Sequence, residues 1–186
     1  MYRQHKKLAT HGMAKSQSGF SLIELLIVVA IILIIAAIAI PNMLRSKMAA
    51  NEAAAVANLR SISTAAVSYW VIYSNGYPPT LATLGGPANA AATCTQSILI
   101  DEVIASPPYQ KSGYQFTYTG DQGAVTTVPP GCAPGFNGYL ATASPLAMGL
   151  TGNISYCNNE PGVIHYDTTG AVAASAANCN VLPTIQ

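Results

Sequence analysis

Charged side chains are scarce in this chain, because only 8% of its 186 residues are Asp, Glu, Lys or Arg. Residues 1–19 hold four of the eight bases and none of the seven acids, so the remainder has four bases against seven acids, a net charge of −3. A weakly acidic body with scattered bases has no continuous positive stripe to neutralise phosphates. We therefore expect no nucleic-acid binding driven by bulk charge, and any contact with DNA would have to be local.

The usual arrangements of catalytic and metal-binding residues are also missing. The sequence has no Cys-x-x-Cys pair, no Gly-x-Ser-x-Gly nucleophile motif and no glycine-rich phosphate loop. Asp101 and Glu102 are adjacent, which places them badly for shared acid–base chemistry. His165 and Asp167 alternate along a short β-type run without a third ligand nearby, and we expect an exposed polar face there. The sequence predicts no enzyme, no cofactor and no metal site.

Four cysteines follow the apolar N-terminal run, in a loop-rich region with few charges. They are Cys94, Cys132, Cys157 and Cys179. An even number of cysteines in such a setting favours an oxidising compartment and two disulfides, with buried free thiols as the alternative. Four cysteines allow three pairings, and spacing alone does not choose among them.

One long apolar run is present. Residues 25–40 are 16 consecutive apolar residues, and counting back to Phe20 gives 21 with one acid among them, about 30 Å of helix and one bilayer core. The basic leader predicts a cytoplasmic N-terminus, although Arg45 and Lys47 reduce the charge bias. In a secretory signal peptide the small residue follows the apolar run, whereas here Gly19 precedes it.

The acid inside this run is Glu24. A carboxylate in hydrocarbon is costly unless it is paired. Cleavage after Gly19 would create an α-amino group on Phe20, which is mostly cationic at neutral pH. That amine could pair with Glu24 of the same helix, four residues on, or with Glu24 of a neighbouring chain, which would fix a register. The alternative is an unpaired Glu24 that reaches the membrane surface.

The segment "GFSLIELLIVVAIILIIAAIAIPN", residues 19–42, resembles the N-terminal signature of type IV prepilins and of type II secretion pseudopilins. The resemblance is specific over residues 16–60 and only architectural beyond them. It implies that a prepilin peptidase cuts between Gly19 and Phe20 and N-methylates Phe20, and that Glu24 sets the register between subunits. It also implies that the packed helix loses regularity at Pro41, where a bend is the minimum expectation.

The leader, residues 1–19, is longer than in the commonest pilin subclass. A start at Met13 rather than Met1 would give a leader of seven residues, "MAKSQSG". Both starts predict the same mature chain.

A helical period continues through residues 42–74, which predicts that the membrane helix of residues 20–41 extends into an amphipathic spine. Its apolar stripe is Val56, Leu59, Ile62, Ala66, Tyr69 and Tyr73. Asn75-Gly76 and Pro78-Pro79 end the helix. We expect the aromatic cluster of Tyr69, Trp70, Tyr73 and Tyr77 to belong to the core, rather than to serve stacking or electron transfer.

The remainder predicts a small head. Residues 75–113 are a connection that contains a short helix, with Ser97 as its N-cap and Asp101 close by. Residues 114–186 contain four β-type runs, at 114–118, 139–143, 154–157 and 163–166, and residues 158–162 form a hairpin between the last two. The predicted fold class is α+β, with a long spine helix packed on a small antiparallel sheet.

The resemblance also implies a disulfide pairing. A bridge between Cys157 and Cys179 would close a C-terminal loop like that of pilins, with a stabilisation of about 3 kcal/mol in the chain-entropy model. Cys94 would then pair with Cys132.

The function that the resemblance implies is that of a structural subunit of a type IV pilus, serving adhesion, twitching motility or DNA uptake. Its partners would be further copies in a helical filament, the prepilin peptidase and N-methyltransferase, and the assembly platform with its ATPase. The precursor would sit in the bacterial inner membrane, N-terminus inside, and the assembled subunit outside the cell. The alternative is a pseudopilin, but major pseudopilins have a C-terminal calcium loop and usually no disulfides.

Overall fold

The computed structural model describes residues 19–160 and 162–185. Leader residues 1–18, Pro161 of the predicted hairpin, and Gln186 lie outside the described residues. The chain divides into two compact units between Pro41 and Asn42. One helix, α1 (Leu22–Tyr73), contributes to both units.

Helix α1 begins two residues later than predicted and ends where predicted. Phe20 and Ser21 are not helical, and the Ser21 carbonyl accepts the N–H of Leu25 at 3.3 Å. At the other end, Ser74 and Gly76 adopt positive φ values of 49° and 72°, which a right-handed helix does not contain. The Asn75-Gly76 stop is therefore confirmed.

The core of the second unit lies along one stripe of α1. Its buried α1 residues are Ala55, Leu59, Ile62, Ser63, Ala65, Ala66 and Tyr69. Ala55, Leu59, Ile62, Ala66 and Tyr69 recur at intervals of three or four, as expected for a helix with one buried face, and Ser63 and Ala65 widen the stripe. Val56 and Tyr73, which we also predicted in the stripe, are only partly buried and pack against its edge. The predicted packing of the spine on the head is confirmed.

An antiparallel sheet of five strands faces this stripe. Its strands are β1 (Gln110–Lys111), β2 (Tyr114–Ala124), β3 (Phe136–Pro145), β4 (Ser155–Asn159) and β5 (Ile164–Asp167). They lie in the order β1-β2-β3-β4-β5, so each strand pairs with its neighbour in sequence. The α+β class and the β4–β5 hairpin are confirmed. The sequence missed β1 and made β2 and β3 too short.

Gly120 shows why β2 was predicted too short. The predicted run ends at residue 118, two residues before Gly120, and glycine weakens a strand, whereas β2 continues through Gly120 to Ala124. A Cβ at Gly120 would lie only 2.1 Å from Cδ2 of Phe136. The ring of Phe136 thus occupies the space above Gly120, and this tertiary contact outweighs the local preference.

The connection between α1 and the sheet differs from the prediction in its helices. It contains α2 (Leu81–Leu84), which was expected to be loop, and α3 (Glu102–Ala105). Asp101, not Ser97, is the N-cap of α3, since its carboxylate accepts the N–H of Val103 at 2.7 Å. Ser97 is buried and donates its hydroxyl to the carbonyl of Thr83 at 2.9 Å. A last short helix, α4 (Ala176–Asn180), follows the sheet.

The aromatic prediction is correct for two residues of four. Tyr69 and Tyr77 are buried, Tyr73 is partly buried, and Trp70 is 48% exposed. Trp70 was misassigned because it adjoins the buried stripe in sequence but lies outside it on the helix.

A hydrogen-bonded tyrosine connects α1 with two strands. Tyr139 is fully buried, donates its hydroxyl to Asn158 Oδ1 at 2.8 Å, and receives the hydroxyl of Ser63 at 2.8 Å. Burial disfavours the phenolate and raises the pKa of Tyr139 to about 12, although the hydrogen bond from Ser63 opposes the rise.

The head should lose stability in alkali because of this burial. An unfolded tyrosine loses its proton near pH 10, whereas folded Tyr139 keeps its proton to about pH 12. The contribution is therefore fully present below pH 10 and lost as the pH rises to about 12, on the order of 2–3 kcal/mol. Urea midpoints of the wild type and of Tyr139→Phe, measured between pH 7 and 12, test this.

Tyr139→Phe should be less stable than the wild type at pH 7, because it lacks the two hydrogen bonds, and should decline less steeply above pH 10. Parallel declines of the two proteins would contradict the assignment to Tyr139.

Candidate assembly and processing site

The predicted cleavage junction lies in a non-helical, exposed segment directly before α1. The side chain of Phe20 is 81% exposed, and Gly19 is exposed as well. A Cβ at Gly19 would meet no atom within 4 Å, and its φ lies outside the left-handed region. The fold of the described chain therefore gives no reason for glycine at position 19.

Glu24 acts within its own chain as part of a helix cap. Its Oε2 accepts the backbone N–H of Ser21 at 3.0 Å, across the first turn of α1. Ser21 and Glu24 have the spacing of a capping box, in which the acid of the first turn satisfies the N–H of the N-cap residue. The sequence reasoning overlooked this role, although Ser-x-x-Glu before an apolar run is its usual signal.

The non-helical start of the chain and this cap bear on the two pairings that were left open for Glu24, with the Phe20 amine of its own helix or with that of a neighbouring chain. Phe20 lies outside α1, so the helical i, i+4 spacing does not bring it onto the face of Glu24. The second oxygen of Glu24, Oε1, accepts no hydrogen bond from any residue that the structure describes. Glu24 is exposed and can accept a further donor without losing its cap.

The residues that follow Glu24 form an apolar surface with no partner inside the chain. The large apolar side chains of residues 22–40 are 44–77% exposed. Among the described residues, α1 is the one helix long and apolar enough to cross a membrane by length and composition. A surface of this kind requires lipid or other helices around it.

Pro41 lies inside α1, and the helix is not interrupted there. The break expected at Pro41 is therefore absent from the single chain. The prediction that the helix loses regularity in a packed filament concerns another state and stays a prediction.

The four cysteines are joined in the two pairs that the resemblance implied. Cys94 bonds to Cys132 with an S–S distance of 2.07 Å, and Cys157 bonds to Cys179 with a distance of 2.02 Å. The first bridge joins the α1–sheet connection to the loop before β3. The second joins β4 to α4, and its sulfurs pack against Leu140 in a small cluster of their own.

His165 and Asp167 do not form the exposed polar face that we predicted. His165 is buried, and its Nδ1 donates to the carbonyl of Leu182 at 2.7 Å because the C-terminal tail covers β5. Asp167 accepts the N–H and the hydroxyl of Thr169, and these hydrogen bonds lower its pKa. No group of three or more His, Cys, Asp or Glu that could hold a metal ion occurs among residues 19–160 and 162–185.

Comparison with known proteins matches the N-terminal part of the chain. A family model described as the prokaryotic N-terminal methylation motif matches residues 14–40. The type IV major pilin protein PilA of Myxococcus xanthus (strain DK1622) is 50% identical over 52 residues, which are 28% of this chain and 24% of that protein. The match thus spans about a quarter of the relative's length. No solved structure matches the chain significantly.

A long, exposed, apolar N-terminal helix joined to an antiparallel meander is the architecture of a pilin-like α+β protein. More particularly, the chain carries the prokaryotic N-terminal methylation motif, and its N-terminal part is similar to that of a type IV major pilin.

The disulfide between Cys157 and Cys179, whose sequence separation is 22 residues, should stabilise the head by about 3 kcal/mol, because it closes that loop in the unfolded chain. Replacing both cysteines with alanine should lower the unfolding free energy by at least this amount, since their sulfurs are also buried. Denaturant unfolding of the full chain in detergent, without reductant, measures the change.

The matched control is the pair Cys94→Ala and Cys132→Ala. Cys94 and Cys132 are only partly buried, so the loss of the crosslink in the unfolded chain should dominate the effect. The unfolding free energy should fall by about 4 kcal/mol, because this bridge closes a longer loop. An unchanged unfolding free energy in either double variant would contradict the crosslinking role of that bridge.

Proposed function

We propose that this protein is a structural subunit of a type IV pilus and that its mechanism is assembly rather than turnover. The observation that carries the proposal is the exposed apolar part of α1, which begins with a single carboxylate, Glu24. In the inner membrane this surface contacts lipid. In a filament it is buried among the same helices of other copies, and at roughly 25 cal/mol per Å² of apolar surface such burial strongly favours the polymer.

Glu24 sets the register in this proposal. A carboxylate in an apolar environment costs a few kcal/mol unless a cation or hydrogen-bond donors compensate it. The amine of Phe20 in a neighbouring copy supplies both, and Oε1 is the acceptor left over by the cap. A neighbouring copy is favoured over a self-pair because Phe20 lies outside the helical repeat.

Processing creates that amine. Gly19 and Phe20 are exposed and non-helical, as a peptidase requires of its substrate, and glycine at position 19 has no role in the fold described. We therefore assign Gly19 to recognition by the prepilin peptidase and Phe20 to cleavage and N-methylation. The basic leader favours an orientation with the N-terminus inside, which places the head and its two disulfides in the oxidising compartment.

The alternative, a pseudopilin of a type II secretion machine, shares this spine. The two disulfides of the head favour the pilus, by resemblance to the pilins that carry such bridges. An increase in the melting temperature of the head with calcium would favour the pseudopilin.

Mass spectrometry of filaments sheared from the cell surface tests the proposal. We expect an abundant chain that begins at N-methylated Phe20 and carries two disulfides. A processed chain that stays with the cell envelope and is absent from sheared filaments would support the pseudopilin. A chain that keeps its leader would overturn both functions, because the pairing amine would not exist.

The charge of Glu24 can be separated from its capping role by substitution. Gln at this position still accepts the N–H of Ser21, because Gln also serves in a capping box, but it cannot form an ion pair. We expect Glu24→Gln and Glu24→Ala to reduce filament yield similarly, by at least tenfold, while membrane insertion is unchanged. Immunoblots of sheared filaments and of the membrane fraction measure the two.

A wild-type yield from Glu24→Gln with a loss in Glu24→Ala would show that Glu24 acts as a cap alone. A wild-type yield from both would falsify the register role.

A further inference from the structure

An apolar patch lies on the loop between β3 and β4. We call residues 146–150 the 146–150 loop. Its three large apolar side chains are exposed: Leu146 by 47%, Met148 by 51% and Leu150 by 65%. A fixed turn presents them, because Thr151 donates its N–H to the carbonyl of Ala147 at 2.9 Å and its Oγ1 accepts the N–H of Ala147 at 3.0 Å. The patch is thus an ordered surface feature.

The 146–150 loop is attached to α1 just before the buried stripe begins. Asn51 Nδ2 donates to the carbonyl of Thr151 at 2.9 Å, and Glu52 Oε1 accepts the N–H of Asn153 at 2.8 Å. The first buried residue of α1 is Ala55, slightly further along. The loop therefore lies beside the part of α1 that directly precedes the buried stripe, at one end of the second unit.

Two bases precede this attachment on the same side of α1. Lys47 lies four residues before Asn51, and Arg45 lies seven residues before Glu52, so each projects from the face that carries the loop. Both are exposed, and neither forms an ion pair with a described residue, since the one salt bridge found there joins Lys111 to Asp101. The sequence from 122 to 159, which includes the loop, has no charged residue.

We propose that the 146–150 loop and the two bases form a second membrane contact, in which the loop enters the headgroup region while Arg45 and Lys47 bind anionic lipid phosphates. This inference rests on the proposed function, because it concerns the anchored subunit before assembly. Lys47 precedes Asn51 by about 6 Å of helix, which matches the thickness of one headgroup layer. Basic residues beside exposed apolar side chains are the pattern of interfacial binding.

A lipid surface is favoured over a second copy because of charge and position. Arg45 and Lys47 are the first bases after the apolar run, which ends at Ile40. Arg45 lies five residues, about 8 Å of helix, beyond that end, and lipid phosphates are the anions at that level. The bases need an anionic partner, whereas the 146–150 loop of another copy would bring no charge to them.

Tryptophan quenching by brominated lipids tests the contact in the full chain, and the molecule supplies its own control. Its single tryptophan, Trp70, is 48% exposed, like Met148 at 51%, but it lies 19 residues beyond Asn51, about 28 Å further along α1. We compare the wild type with a Trp70→Phe, Met148→Trp variant, each at about one chain per vesicle of bromine-labelled phosphatidylcholine and phosphatidylglycerol.

The variant should lose at least half of its fluorescence relative to vesicles without bromine, and Trp70 of the wild type should lose little. Adding Arg45→Gln and Lys47→Gln to the variant should reduce the quenching at least twofold in anionic vesicles. Leu150→Trp in the Trp70→Phe background should repeat the result independently of Met148.

Chains that float with the vesicles but show no quenching at either position would overturn the contact and leave the proposed anchoring intact. Iodide quenching of the Met148→Trp fluorescence that weakens only at high chain density, without quenching by brominated lipid, would assign the patch to contact with a second copy. That result would also overturn the lipid contact. Chains that fail to float would overturn membrane anchoring itself, and the contact with it.

Discussion

The demand for apolar burial along a single helix governs this protein. In the unit that ends at Pro41, the apolar side chains of α1 point in all directions and none is buried. In the second unit, α1 has one buried stripe that packs against the sheet and ends with Tyr69, and its exposed side is alanine-rich and polar from Ala49 to Thr64. Beyond Thr64 the exposed side also carries large apolar side chains: Val67, Trp70, Val71 and Ile72. The first pattern suits lipid or a bundle of like helices, and the second suits a globular core. Both patterns occur in one uninterrupted helix, α1 (Leu22–Tyr73).

Glu24 shows how one carboxylate can serve two purposes at the start of such a helix. Its Oε2 caps the N–H of Ser21, which makes the helix start well defined, and the negative charge is favourable near the positive end of the helix dipole. Its Oε1 keeps its acceptor capacity. A cap of this kind orients the carboxylate before any partner arrives, so that pairing with a neighbour would cost less conformational entropy. The capping role and the proposed register role therefore support each other.

The features that the sequence predicted correctly are those set by local pattern. The end of α1, its buried stripe and the β4–β5 hairpin follow from periodicity and from residues with restricted backbone conformations. The features that it missed depend on contacts between distant segments. Gly120 stays inside β2 because the ring of Phe136 covers it, and His165 is buried because the tail after α4 returns over β5. The two-residue strand β1 forms only by pairing with β2, and no local pattern distinguishes so short a strand.

The scarcity of charge has a structural consequence in the head. A domain with few ion pairs relies on apolar burial, hydrogen bonds and crosslinks. Three buried tyrosines supply the first two together, because each places a ring in the core while its hydroxyl reaches another segment. Tyr69 donates to the carbonyl of Cys94, Tyr114 donates to the carbonyl of Ile154, and Tyr139 bonds to Ser63 and Asn158. The disulfides fasten segments outside the long helix and the sheet: Cys94–Cys132 joins the α1–sheet connection to the β2–β3 loop, and Cys157–Cys179 joins the tail to β4. A surface with so few charges costs little to desolvate, and the proposed role as a filament subunit would require this property, because neighbouring copies would cover part of that surface.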